Sequence, residues 1–171
     1  MTANNIVIMG VAGCGKSHIG QALAAELGIV FIEGDSFHPP ENIALMSAGT
    51  PLDDKHRQGW LETLAARLAA SRADGSGSVL ACSALKRRYR DILRAADPDI
   101  LFVHLAGSVE QIAPRMQQRS AHFMPSSLLA SQFADLEPPS ADENALTVNV
   151  EDTPQTITRS ILDRLSQRPG Q

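Results

Sequence analysis

The eight residues Gly10-Val11-Ala12-Gly13-Cys14-Gly15-Lys16-Ser17 complete the pattern G-x-x-x-x-G-K-[ST], whose residue types suit the cradling of phosphate. Glycines let successive backbone N–H groups turn inward as an anion nest, and the helix that follows adds the positive end of its dipole. Lys16 supplies a mobile cation for the β- and γ-phosphates, and Ser17 a hydroxyl ligand for Mg²⁺. The expected ATP-binding set runs from Gly10 through His18. A glycine-rich turn matching by chance is the plain alternative. Against it stands the context, an apolar run Ile6–Met9 before the loop and helical spacing of Ile19, Leu23 and Leu27 after it.

Two carboxylates form a second constellation. In Phe31-Ile32-Glu33-Gly34-Asp35 the acids sit two residues apart at the mouth of a predicted strand. Phosphoryl transfer to an alcohol needs one carboxylate to accept the hydroxyl proton, and a second acid near the metal's water shell is useful. Asp35 is expected in the first role and Glu33 in the outer metal shell; ordinary loop acids before the Pro40 helix are the alternative. A third group is cationic. Lys86 and Arg90 open a helix after the third strand, where cations imply an anionic substrate, and His38 and Arg57 could complete that pocket. A solvated basic face (Arg87, Arg90 and Arg94 share one side) and a merely structural His38 are the competing readings. Arg115 and Arg119, near an irregular stretch, fit a lid that screens γ-phosphate charge and excludes water, or simply cations at a helix end.

The elements needed to position these groups follow from periodicity. Strands are predicted at Asn5–Met9, Ile29–Glu33, Ser78–Ser83, Ile100–Leu105 and Leu146–Val150, each nearly continuous in apolar character, as in a parallel sheet covered on both faces. Helices are predicted at Lys16–Leu27, Pro40–Ser47, Asp54–Arg72, Leu85–Ala95, Val109–Arg119, Ser126–Phe133 and Pro154–Ser166. Asp53-Asp54 offers an N-cap to the longest, whose Leu61, Leu64 and Leu68 keep helical spacing. The alternation predicts an α/β, doubly wound, five-stranded parallel sheet in a single domain over 1–171. Ligands in such a sheet gather beyond the strands' C-terminal ends, where both phosphate loop and acids fall.

Composition narrows the classes. At 171 residues the chain has room for one well-buried core, and 43% hydrophobic content makes it globular. A net charge of −4 argues against nucleic-acid binding. No stretch approaches the roughly 20 apolar residues of a membrane span, and the opening MTANN predicts no signal peptide. Two cysteines, Cys14 and Cys82, make no disulfide framework and suit a reducing, cytoplasmic setting. Cys14, beside a helix N-terminus, is either a redox-sensitive thiol or a small space-filler. No N-K-x-D guanine reader occurs, and the third strand ends in Cys82-Ser83 without the carboxylate of an ATP-driven motor. An enzyme of the small-molecule kinase type remains. Its alternatives are a kinase for another hydroxy acid, shikimate-like, and a non-catalytic nucleotide-binding regulator.

Beyond the phosphate loop, Gly34-Asp35-Ser36-Phe37-His38-Pro39-Pro40-Glu41-Asn42-Ile43, followed by Met46, Gly49, Pro51-Leu52, Asp54, Arg57 and Trp60-Leu61, resembles the G-D-x-x-H-P-x-x-N-I…M…G-x-P-L-x-D…R…W-L block of gluconate kinases. Cys82-Ser83-Ala84-Leu85-Lys86 with Tyr89-Arg90, and His122-Phe123, Gln132-Phe133 and Leu136-Glu137, are similar to later blocks. The resemblance covers nearly the whole chain. It implies a nucleoside-monophosphate-kinase-like fold with a lid at about 119–137, ATP- and Mg²⁺-dependent phosphorylation of D-gluconate to 6-phospho-D-gluconate, and a homodimer. It also implies Lys16, Asp35 and Arg119 as catalytic groups, and Asp35, His38, Arg57, Lys86 and Arg90 around the sugar acid. Lys55 and His56 depart from the family pattern, standing where it has acids.

Overall fold

Each strand of this chain presents apolar residues to both sides. In the computed structural model, which describes residues 4–117 and 126–167, that property builds a five-stranded parallel sheet of order β2-β3-β1-β4-β5. The strands are β1 (Asn5–Met9), β2 (Val30–Glu33), β3 (Ser78–Ala81), β4 (Leu101–Ala106) and β5 (Ala145–Asn149). Among the described residues seven α-helices cover it: α1 (Lys16–Leu27), α2 (Pro40–Ser47), α3 (Asp54–Ala73), α4 (Arg87–Ala96), α5 (Val109–Gln117), α6 (Leu129–Asp135) and α7 (Pro154–Ser166). No described helix is long and apolar enough to cross a membrane.

Side-chain alternation splits the core into two layers. Ile6 and Ile8 join Leu23, Val103, Ile112 and Ile161 on one face, while Val7 and Met9 join Leu61, Leu64, Leu68 and Phe102 on the other. The order of strands reverses direction at central β1, so the phosphate loop leaves the sheet at the switch point where such folds bind ligands. Register sets the neighbourhood: Glu33 pairs with Ala81 and Ile8 with Ala81, which brings the ends of β2, β3 and β1 to one level.

The predicted boundaries differ most at α6, which runs Leu129–Asp135 rather than Ser126–Phe133, and next at α4, which starts at Arg87 rather than Leu85. Ala84 adopts φ 44°, and the preceding loop is held by long-range bonds: Gly10 N–H donates to Ser83 O (3.2 Å) and Glu137 N–H to Leu85 O (2.8 Å). His56 has a local use. Its backbone N–H donates to Asp53 Oδ1 (2.8 Å) while its Nδ1 accepts from Asp53 N–H (3.2 Å), a reciprocal cap on α3.

The basic face of α4 turns out to be a clamp. Arg90 is fully buried. Its Nε–H donates to Glu143 Oε1 (2.7 Å), its Nη1 to the carbonyls of Ala84 (2.8 Å) and Leu85 (3.1 Å), and its Nη2 to Glu137 O (2.9 Å) and Glu143 Oε2 (3.1 Å). A guanidinium has five N–H groups, and all are engaged. Arg94 adds a second contact to Glu143 (3.0 Å), and Arg87 pairs with Asp142 (2.7 Å). This corrects the expectation that Arg90 faces a substrate: it ties α4 to the segment that enters β5.

Burial pushes the Glu143 carboxyl up, but hydrogen bonds from Arg90 and from the Ser140 backbone outweigh it and hold its pKa at about 2, below the ordinary 4.5. A depressed carboxylate stabilises the fold above its unfolded pKa and loses that contribution as pH falls through the folded value. A shift of this size is worth up to about 3 kcal/mol. Thermal melts from pH 5 to 2 should therefore fall more steeply for the natural chain than for Glu143→Gln. Parallel slopes would refute this assignment.

Candidate active site

The cleft lies over the ends of β1 and β2. Gly15 sits at the N-cap of α1 with φ 98°, a conformation glycine adopts at little cost. Lys16 Nζ donates to Val11 O (3.1 Å), and the Ser17 hydroxyl donates to the Glu33 carboxylate. Ser17 and Glu33 thus bring two oxygen donors together beside the phosphate loop, the donor type Mg²⁺ prefers. Gly34 follows Glu33 because nothing larger fits: a Cβ there would lie 2.3 Å from Ala81 O. That close approach turns the chain so that Asp35, about one-third exposed, opens into the cleft.

Ala12, Gly13, Gly15, Lys16 and Ser17 line one cavity together with Asp35, His38, Arg57, Trp60, Ser83 and Gln132. His38 stacks on Trp60 with ring centroids 4.0 Å apart, and Trp60 Nε1–H donates to Gly34 O (2.8 Å). Burial lowers the His38 pKa to about 4, Asp35 working against the shift and Arg57 with it, so the ring is neutral near pH 7. The Arg57 guanidinium, almost wholly buried, donates to Tyr89 Oη (2.9 Å) and Asp135 Oδ2 (3.1 Å). Arg57 is therefore a cation anchored at the cavity wall.

Besides Arg90, two cations expected at the site do not line this cavity. Lys86 does not line the cavity: its Nζ donates to Asp54 Oδ1 (3.0 Å), an acid that also accepts from Arg88 and the Tyr89 hydroxyl. The Tyr89 and Lys86 hydrogen bonds hold the Asp54 pKa at about 2. Arg115, expected near the γ-phosphate, donates to Val150 O (2.9 Å) and lines a second cavity with Cys14, His18, Ile19, Asp152 and Pro154. The two cavities share only Gly13 and Gly15. Cys14 is 3% exposed, its sulfur packed against Gly10, which favours the space-filling reading over the redox one. Cys82 is fully buried, its thiol pushed up to about 12 by desolvation. Arg119 and the first part of the expected lid lie outside the described residues.

The sequence placed α6 within the expected lid but gave Gln132 and Asp135 no individual role. Gln132 Oε1 accepts from the phosphate-loop Ala12 N–H (2.8 Å), and Asp135, three residues on, pairs with Arg57. One short helix thus touches both the phosphate cradle and the cavity's cation. The available signals were the Gln132-Phe133 match to the family block and the fact that positions 132 and 135 share a helix face.

A phosphate loop at the switch point of a parallel sheet, open to a carboxylate and a buried cation, defines a phosphate-loop kinase of the small-molecule type. The family model for shikimate kinase matches residues 12–166. A gluconokinase of Gluconobacter oxydans (strain 621H) is 45% identical over 157 residues, covering 92% of this chain and 88% of that one. Among solved structures, an unliganded sugar kinase from Janibacter sp. HTCC2649 superposes with TM-score 0.92 at 43% identity, over 98% and 96% of the two chains. A gluconokinase from Sinorhizobium meliloti 1021 does so with TM-score 0.87 at 46% identity, over 97% and 93%. The chain belongs to the gluconokinase family, within the shikimate-kinase-like group.

Proposed function

We propose that the chain transfers the γ-phosphoryl group of ATP to the terminal hydroxyl of D-gluconate, giving 6-phospho-D-gluconate and ADP. The observation that carries this reading is one cavity shared by the phosphate loop, the Asp35 carboxylate and the buried Arg57 guanidinium. In it the loop amides and Lys16 hold the β- and γ-phosphates. Arg57 pairs with the sugar-acid carboxylate. Asp35 accepts the hydroxyl proton as that oxygen attacks phosphorus in line. Ser17, with Glu33 behind it, would hold Mg²⁺, which supplies charge neutralisation on the phosphate oxygens. Arg115 and His18, in the second cavity, suit the nucleoside end of ATP. The segment 119–137, with Arg119, is the lid the family resemblance implies, within a single kinase domain. A homodimer in the cytoplasm, feeding sugar-acid phosphate metabolism, completes the proposal.

A coupled ADP-release assay across gluconate, its C2 and C4 epimers and shikimate tests it. Gluconate should give the highest kcat/KM. Equal or faster turnover with shikimate would overturn the substrate, and nucleotide binding without acceptor-stimulated ADP release would overturn the enzyme.

A further inference from the structure

Asn42, on α2, is only 3% exposed, and its side chain faces His38. Its amide nitrogen lies 2.9 Å from the carbonyl oxygen of His56 and 3.2 Å from His38 Nδ1. A backbone carbonyl has no proton, so the group facing His56 is the NH₂ rather than the amide oxygen. The second amide proton then points to His38 Nδ1, which must accept it through its lone pair. A neutral imidazole has one proton left, and it sits on Nε2. That nitrogen is 3.9 Å from Asp35 Oδ1. Stacking on Trp60, itself pinned to Gly34 O, holds the ring in this orientation.

We propose that Asn42 is a positioning residue that fixes His38 as the Nε2–H tautomer, making His38 and Asp35 a donor–acceptor pair that reads the reacting hydroxyl. The inference rests on the kinase reading above and deepens it. A gap of 3.9 Å is too long for a direct hydrogen bond. It admits one oxygen that touches both groups at about 2.8 Å. Only an atom that accepts from Nε2–H and donates to a carboxylate satisfies both sides, and an alcohol hydroxyl does so where a carbonyl oxygen cannot. The hydroxyl so held gives its proton to Asp35 and keeps a second lone pair for phosphorus. The new oxygen–phosphorus bond forms as the bond to the β,γ-bridging oxygen breaks, and ADP leaves with that electron pair. The opposite tautomer would set two N–H groups against each other at Asn42 and a lone pair against the Asp35 carboxylate. Burial of the ring, which keeps it neutral, agrees with this arrangement.

The experiment is long-range ¹H–¹⁵N correlation of the histidine rings in the ligand-free natural chain at pH 7, with His38 assigned through its loss in His38→Gln. A protonated Nε2 and bare Nδ1 are expected; a protonated Nδ1 or an imidazolium at His38 overturns the proposal, whatever the substrate. In Asn42→Asp the carboxylate can only accept, so Nδ1 should become protonated. For gluconate kcat should fall at least about tenfold, with the KM for ATP within about twofold. A folded Asn42→Asp protein with an unchanged His38 signature, or with a changed signature and unchanged kcat, also overturns it. If that variant does not fold, the natural chain's spectrum decides. A chain with the expected spectrum but no transfer to gluconate would sink the substrate assignment and leave Asn42's effect on the tautomer standing.

Discussion

Asp35→Asn should lower kcat for gluconate by about a thousandfold while leaving ATP affinity within about twofold of the natural chain. The replacement keeps the size of the side chain and removes its capacity to take a proton. Asp35 lines the cleft about one-third exposed, so no packing is lost with it. The phosphate loop, held by β1 and α1, does not depend on it. The effect should therefore appear in the chemical step, read by steady-state ADP release alongside calorimetric binding of a non-hydrolysable ATP analogue. A loss below about tenfold would assign proton transfer to solvent and reduce Asp35 to an orienting group.

Arg90→Lys should damage stability rather than recognition. Lysine keeps the charge but offers three donors from one point where the guanidinium serves five acceptors in a fixed plane. The carbonyls of Ala84, Leu85 and Glu137 cannot all be reached, and the Glu143 carboxylate loses its bidentate partner in a buried setting. The cost should be about 3 kcal/mol, a fall in melting temperature of roughly 10 °C. The KM for gluconate, measured well below that temperature, should stay within about twofold. A large rise in KM with an unchanged melting temperature would return Arg90 to the substrate pocket.

What could be read in the chain beforehand was whatever is written locally. The phosphate loop, the apolar runs of β1 and β4 and the Leu61, Leu64, Leu68 stripe of α3 are short-range patterns, and each appears where its periodicity demands. Asp35 reached the cleft because the motif that carries it is a contiguous strand end. The fate of the cations was not legible, because their partners are remote in sequence. Glu143, 53 residues from Arg90, consumes it, and Asp54, 32 residues from Lys86, captures that lysine. A helical wheel shows that Arg87, Arg90 and Arg94 share a side; it cannot show that acids entering β5 lie against that side. Which cavity Arg115 borders was not legible for a related reason: the loop after β5, with Val150, sets it.

Gln132 and Asp135 are separated by about 4.5 Å of helical rise. A tilt of α6 therefore shifts the acceptor of a loop amide and the counter-ion of Arg57 by comparable amounts. A rigid tilt of the helix cannot adjust one of these contacts alone. Across the gluconokinases, affinities for donor and sugar acid should wander in step wherever α6 varies, and separately where it does not.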